Sequence, residues 1–136
     1  MNERAELSEK NKYWIERHRY YELKHFCLQY PIWKEAYIHI DGFKNHPADL
    51  ALFKSNGLST PTERVAIAKN RYLGWMETVE QTAIKTDPEL REYILAGVTQ
   101  GYSYDVLKAR LEIPCSRDTY YDRYRRFFWL LNKARE

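Results

Sequence analysis

The residues best suited to binding chemistry lie near the end of the chain, where arginines recur along a stretch that opens with a serine. Guanidinium groups pair bidentately with phosphates or with guanine in the major groove, and a threonine hydroxyl can reach a base or a phosphate. These residue types favour contact with double-stranded DNA. The candidate contact residues are Ser116, Arg117, Thr119, Tyr120, Arg123, Arg125, Arg126 and Lys133.

Two predicted helices position these residues. Ser103 caps a short amphipathic helix that ends at Leu111, and residues 112–115 then form a turn. Ser116 offers its side-chain oxygen to the free amides of a second, longer helix. The spacing therefore predicts a helix, a tight turn and a helix over 103–134, the arrangement of a helix-turn-helix.

The second helix has two distinct faces. One is aromatic and apolar, at steps of three and four residues: Tyr120, Tyr124, Phe127, Phe128 and Leu131. The other is polar and basic: Thr119, Arg123, Arg126 and Lys133. This pattern suits a recognition helix docked on supporting helices, and it equally suits a terminal core helix with a solvated face. Tyr120 fits either a base contact or the core.

Within a recognition helix the N-terminal residues usually lie nearest the bases. We therefore expect four residues to read sequence: Arg117, Thr119, Tyr120 and Arg123. Three later cations are expected to hold phosphates and to make binding salt-dependent: Arg125, Arg126 and Lys133.

Composition and charge support a folded, mildly basic protein. Of the 136 residues 44% are hydrophobic and 15% aromatic, enough for a sizeable core and too much for a disordered chain. The net charge is +3, and the residues from Arg117 onward carry an excess of three positive charges themselves. The sequence contains neither an apolar run of about 18 residues, which a membrane span needs, nor a signal-peptide core. We expect a cytoplasmic protein that does not bind membranes.

Patterns typical of catalysis, cofactors or metal ions are missing from the sequence. It contains no glycine-rich phosphate loop, no nucleophile elbow and no CxxC pair. Cys27 and Cys115 lie far apart and are expected to be reduced thiols. His18 and His25 share a helix face but lack the close, convergent spacing of metal ligands. We therefore expect no enzyme, no cofactor and no metal site.

The rest of the chain is also predicted to be helical. A first helix over residues 3–29 carries an aromatic stripe that favours a core face over a base-stacking surface. Pro31 begins a second helix that ends near Asp41 and Gly42. The segment 42–60 contains the residues typical of a loop or linker.

A long helix begins at Pro61, because Thr60 and Glu63 form a capping box around it. Its apolar stripe can pack in the core or form a seam with a second copy, so a homodimer is an open alternative. Asp87 opens a supporting helix before the helix-turn-helix. The predicted fold is an all-α helical bundle with a C-terminal helix-turn-helix, and its divisions are 1–41 (N-terminal helical extension), 42–60 (loop or linker) and 61–136 (helical domain).

Residues 87–134 resemble the C-terminal helix-turn-helix of ArpU/RinA-type regulators, which phages and prophages of Gram-positive bacteria encode and which activate late transcription. The matching residues are Tyr93, Ile94, Leu107, Leu111, Ile113, Ser116, Thr119, Phe127 and Leu131. Pro114 and Cys115 depart from the pattern by lengthening the turn. The resemblance implies a phage-derived transcriptional regulator. RNA polymerase and a site-specific recombinase are the two alternative protein partners.

Other functions fit the same residues. A recombination directionality factor would also be small and basic, and would act with a site-specific recombinase during excision. A terminase small subunit would form rings, and a protein–protein interaction module would not bind DNA. The regulator and these three alternatives all remain compatible with the sequence.

Overall fold

A computed structural model of the chain describes residues 9–42 and 60–136. These residues form six α-helices and, within the described ranges, no strand. The helices are α1 (Arg17–Leu28), α2 (Tyr30–Gly42), α3 (Pro61–Thr86), α4 (Arg91–Gln100), α5 (Tyr104–Leu111) and α6 (Arg117–Ala134). The predicted all-α helical fold is confirmed. Among the described residues, every helix is too short or too polar to cross a lipid bilayer.

The contacts divide the chain into two compact units. The larger unit comprises Met1–Gln29 and Thr78–Glu136, and the smaller unit is Tyr30–Glu77, so the boundary falls inside α3. The larger unit groups α1 with α4, α5 and α6. The sequence predicts a separate extension over 1–41, whereas α1 belongs to the larger unit. Helical periodicity shows which face of α1 is apolar but not which helix covers that face.

In the smaller unit an aromatic contact joins α2 to α3, and a second ring contact lies within α3. The rings of Trp33 and Trp75 lie 5.3 Å apart, and Tyr72 meets Trp75 edge-on at 5.9 Å. At the start of α3 the predicted capping box is present. Glu63 N donates to Thr60 Oγ1 at 3.1 Å, and Thr60 N donates to Glu63 Oε1 at 2.9 Å.

The larger unit is built on the apolar face of α6. The five buried residues of that helix are Tyr120, Tyr124, Phe127, Phe128 and Leu131, as its periodicity predicts. From α1, the buried Tyr20 packs edge-on to Phe128 with ring centres 5.2 Å apart. The Tyr20 and Tyr124 hydroxyls share a hydrogen bond of 2.7 Å in the core. These aromatic rings are buried, and the two tyrosine hydroxyls among them are hydrogen-bonded to each other. Their packing therefore fixes α6 against α1.

The first helix starts later than its periodicity predicts. Residues 9–16 form turns and irregular structure, and α1 begins at Arg17. Asn11 Oδ1 accepts from Tyr13 N at 2.8 Å and so competes with helix formation, and Glu16 caps α1 by accepting from two backbone amides. Residues 3–8 of the predicted helix and nearly all of the predicted 42–60 linker lie outside the described residues.

Candidate nucleic-acid interface

The helix that precedes α6 is short and well capped. Ser103 accepts a hydrogen bond from Val106 N at 3.3 Å, as predicted, and α5 ends after Leu111. Glu112 follows in the left-handed region with φ of 55°, and its N–H donates to the carbonyl of Leu107. A left-handed residue is a common way to end a helix, although a side chain there is strained. Five residues, Glu112 to Ser116, thus connect α5 to α6.

Side chains of α5 hold this connection in place. Tyr104 Oη donates to the carbonyl of Cys115 at 2.6 Å, and Lys108 Nζ donates to the carbonyl of Ile113 at 3.3 Å. The Ile113 side chain is completely buried. A further bond runs from Tyr104 N to Tyr121 Oη at 3.2 Å and joins the start of α5 to α6. The entry of α6 is therefore fixed by tertiary contacts as well as by its cap.

The first turn of α6 lies at the surface. Ser116 is exposed and caps the helix by accepting from Thr119 N at 3.2 Å. Arg117 is exposed and Thr119 is half-buried. Three of the predicted base-reading or capping residues are therefore brought together at the accessible end of one helix.

Tyr120 corrects the prediction that it contacts a base. Its side chain is 1% exposed, and its ring packs against the rings of Tyr104, Tyr121 and Tyr124. Its hydroxyl is buried without a hydrogen-bond partner within the described residues, and burial raises its pKa. Gly97 of α4 leaves room for that hydroxyl, since a Cβ on Gly97 would overlap it. Tyr120 is a core residue, in line with its place on the aromatic face.

Arg117 is paired inside the molecule. Its Nη2 lies 2.5 Å from Asp105 Oδ1, and its guanidinium carbon lies 5.1 Å from the centre of the Tyr104 ring. Both charged side chains are more than half exposed. A pair this accessible is worth little and can exchange its carboxylate for another anion.

Arg123 is held more firmly. Its Nε donates to Asp87 Oδ2 at 2.9 Å, and its Nη1 donates to Asp122 at 2.6 Å. The hydrogen bond to Asp87 is the main cause of the raised pKa of Arg123. Asp87 also accepts from the amides of Glu89 and Leu90, which forms a turn before α4. This is why α4 begins at Arg91, four residues after Asp87, which the sequence predicts to open the helix.

The three predicted phosphate contacts have different surroundings. Arg125 is half-buried, and its Nε is buried without a partner within the described residues. Arg126 is half-buried and makes no ion pair with a described residue. Lys133 is exposed, with Nζ 4.4 Å from the centre of the Trp129 ring.

The structure adds three residues to this neighbourhood that the sequence-based interpretation missed. Trp129 is half-buried and lies three residues after Arg126 on the side of α6 opposite the aromatic core face. Tyr13 packs on it with ring centres 5.5 Å apart, and Lys12 Nζ lies 5.1 Å from the Tyr13 ring. The helical spacing of Trp129 was visible in the sequence, whereas the approach of residues 12–13 was not. We call Lys12, Tyr13, Arg126, Trp129 and Lys133 the cation–aromatic surface.

Charge is distributed unevenly along α6. From residue 117 to residue 124 two arginines are balanced by Asp118 and Asp122, so the net charge of this half is zero. From residue 125 to residue 134 there are three cations and no acid. The basic excess that the sequence places on this helix therefore belongs to its C-terminal half.

Other reactive groups do not form a second site within the described ranges. Over residues 9–42 and 60–136 no group of three histidine, cysteine or acidic side chains could hold a metal ion. Cys27 and Cys115 are free thiols, and burial raises the pKa of both. Burial therefore disfavours the thiolate form of both side chains.

Comparisons with known proteins give no relative. No protein-family model matches the chain, no curated protein is significantly similar to it, and no solved structure matches its fold significantly. The similarity of residues 87–134 to ArpU/RinA-type regulators stays a prediction.

Proposed function

We propose that this protein is a sequence-selective binder of double-stranded DNA, with α6 as the helix that enters the major groove. The observation that carries the proposal is the placement of the first turn of α6. Ser116 and Arg117 are exposed there and Thr119 is half-buried, while the five residues of the aromatic and apolar face of α6 are buried. A helix that reads bases needs an accessible N-terminal turn and a firmly docked back.

The elements before α6 support this use. The eight-residue α5 and the five-residue connection give a helix, a turn and a helix in consecutive order. Hydrogen bonds from Tyr104 and Lys108 to the connection fix the start of α6. A fixed recognition helix loses less conformational entropy when it binds, which favours selective contacts.

Within this proposal the contact residues divide by accessibility. Arg117 and Thr119 read bases. The Ser116 hydroxyl donates to Thr119 Oγ1 at 3.1 Å in the free protein and exchanges that partner for a neighbouring phosphate. Arg123 is primarily an anchor, because its ion pair with Asp87 ties α6 to the turn before α4. Arg125, Arg126 and Lys133 contact phosphates.

The biological role that we propose is transcriptional regulation in a phage or phage-derived element, without catalysis and without a cofactor. It is supported by the resemblance of residues 87–134 to ArpU/RinA-type regulators. RNA polymerase is then the expected protein partner, and binding to paired half-sites as a homodimer is the expected geometry.

Fluorescence-anisotropy titration at several salt concentrations tests the proposal. One set of duplexes tiles the DNA around the protein's own gene, including promoters and element ends, and a second set has random sequence. We expect tight binding to one tile and an affinity that falls steeply with salt. An Arg117→Ala variant should lose selectivity between that tile and random duplex while its circular dichroism spectrum is unchanged.

The result also separates the alternatives. A promoter tile supports the regulator, whereas a tile at an element end supports an excision factor acting with a recombinase. A ring-sized mass in solution would indicate a terminase small subunit. Absence of binding above random duplex at low salt would reject α6 as a recognition helix and leave a protein–protein interaction module.

A further inference from the structure

The cation–aromatic surface differs from the other charged sites of α6 in what surrounds its cations. Lys133 lies against the Trp129 ring and Lys12 against the Tyr13 ring, and the two rings touch each other. Arg126 lies on the same side of α6 as Trp129 and Lys133, at helical spacing from both. The surface thus joins the second half of α6 to the segment before α1.

We propose that the cation–aromatic surface binds the phosphate backbone of duplex DNA, beyond the bases that the first turn of α6 reads. This inference rests on the proposed function and adds Lys12, Tyr13 and Trp129 to the interface. It assigns most of the sequence-independent affinity to this surface and selectivity to the first turn.

The partner's chemistry follows from the charges. Lys12, Arg126 and Lys133 have no carboxylate partner within the described residues, so they present three positive charges on one surface. Arg117 and Arg123, in contrast, are each paired with an aspartate. A row of phosphates is the partner that neutralises several neighbouring cations at once, and release of its counterions favours binding.

The position on the helix favours the backbone over the bases. At about 1.5 Å rise per residue, Arg126 lies roughly 13 Å and Lys133 roughly 24 Å along the axis from Arg117. The major groove is only about 12 Å wide. When the first turn of α6 lies in the groove, the second half of the helix therefore extends to or past its phosphate-lined edge.

Trp129 acts in this surface as a positioning residue. Its ring holds Lys133 Nζ at 4.4 Å, which restricts a flexible side chain before DNA arrives. The ring of Tyr13, which is buried, packs against the Trp129 ring.

Salt-dependent anisotropy titration of the full chain tests this assignment. Each of Lys12→Gln, Arg126→Gln and Lys133→Gln should lower the slope of log affinity against log salt by about 0.9. Each should weaken binding to the target tile and to random duplex by the same factor. Lys85→Gln, an exposed lysine on α3, is the matched control and should leave the slope unchanged.

A second pair of variants tests the positioning role. Trp129→Leu removes the ring that Lys133 lies on. It should lower the affinity for the target tile and for random duplex about two- to fivefold, which corresponds to the free energy of one exposed cation–π contact. Trp129→Phe keeps a ring and should retain most of the affinity. In the Lys133→Gln background Trp129→Leu should lose most of its effect, whereas a merely structural role would leave that effect unchanged.

The outcomes for the two proposals are distinct. If the wild-type chain binds no duplex at low salt, both the proposed function and this inference fail. If it binds selectively but a variant that combines Lys12→Gln, Arg126→Gln and Lys133→Gln keeps the wild-type salt slope, only the cation–aromatic surface is excluded. Loss of selectivity at unchanged random-duplex affinity in that variant would also overturn the inference, because it would place these residues at the bases.

Discussion

The two halves of α6 use their arginines and lysines differently. In the N-terminal half Arg117 and Arg123 are paired with Asp105 and Asp87, which belong to neighbouring elements. In the C-terminal half Lys133 lies on the Trp129 ring, and no carboxylate of a described residue neutralises it. One helix thus combines a half whose charges are balanced with a half whose charges are not.

The two kinds of charge have different roles: paired charges fix the position of α6, and unpaired charges attract a ligand. Charges that are paired inside the molecule hold α6 at a set position on α4 and α5, and contribute little long-range attraction. Unpaired charges contribute attraction but little positional precision. A protein that reads a DNA sequence needs both properties, and on α6 they occupy successive turns.

The largest expected effect concerns the packing behind the N-terminal half. Gly97→Ala adds a Cβ that overlaps the Tyr120 hydroxyl and lies 3.3 Å from Tyr120 Cζ. Because the core there is filled, we expect this substitution to lower the free energy of unfolding by about 1–3 kcal/mol. Urea unfolding followed by circular dichroism measures the change. An unchanged midpoint would mean that α4 and α6 do not approach closely at Gly97.

Two variants control this measurement. Gly74→Ala makes the same change in α3, where a Cβ would meet no atom of the described residues within 4 Å, and should stabilise the helix by about 0.5–1 kcal/mol. Tyr120→Phe removes the buried, unpartnered hydroxyl and should be nearly neutral alone. In the Gly97→Ala background, Tyr120→Phe should restore part of the lost unfolding free energy, because it removes the hydroxyl that the new Cβ overlaps. No restoration would mean that Gly97→Ala destabilises the protein by another contact.

Asp87→Asn tests whether the N-terminal half is held by charge. The asparagine keeps an oxygen for the amides of Glu89 and Leu90 but loses the ion pair with Arg123. With the pair partly solvated, we expect a cost of about 1 kcal/mol in thermal or urea unfolding. Arg123→Gln should cost a similar amount, and the double variant should cost less than the sum of the two single variants. Strict additivity would show that the pair is not formed.

Local signals in the sequence were sufficient to predict most helices. The caps at Thr60, Ser103 and Ser116 are confirmed, because each uses a hydrogen bond to a backbone amide within three residues. The apolar face of α6 is confirmed for the same reason, since helical spacing alone decides which side chains share a side. Caps and helix faces depend only on residues that are close in the sequence, so they can be predicted from it.

The surroundings of the candidate site could not be predicted in this way. The pair of Asp87 and Arg123 spans 36 positions, and the contact of Tyr13 with Trp129 joins opposite ends of the chain. A helical wheel shows that Arg123 lies on a polar side, but not that a carboxylate faces it. The choice between a base-reading arginine and an anchoring arginine therefore depends on tertiary packing.

Glu112→Gly should stabilise the entry to the N-terminal half. Glu112 has a φ of 55°, a conformation that costs a residue with a side chain about 1 kcal/mol or more and glycine almost nothing. Part of that gain is offset by the greater freedom of glycine in the unfolded chain, so we expect about 0.5 kcal/mol of net stabilisation. Glu112→Ala removes the same charge but keeps the strained φ, and is the control. Equal stabilities of the two variants would argue against a left-handed residue at this position.

Asp105→Asn has the smallest expected effect on stability and bears most directly on the contrast between the halves. The pair with Arg117 is exposed, so its loss should change the free energy of unfolding by less than about 0.5 kcal/mol. Removing the carboxylate leaves Arg117 unpaired and gives the N-terminal half the kind of charge that the C-terminal half already has. We therefore expect random-duplex affinity to rise about two- to fivefold in anisotropy titrations at low salt, with selectivity for the target tile reduced. If Asp105→Asn raises random-duplex affinity equally in an Arg117→Ala background, the cause is the change in the net charge of the protein. A rise that requires Arg117 would instead show that this ion pair restrains non-specific binding.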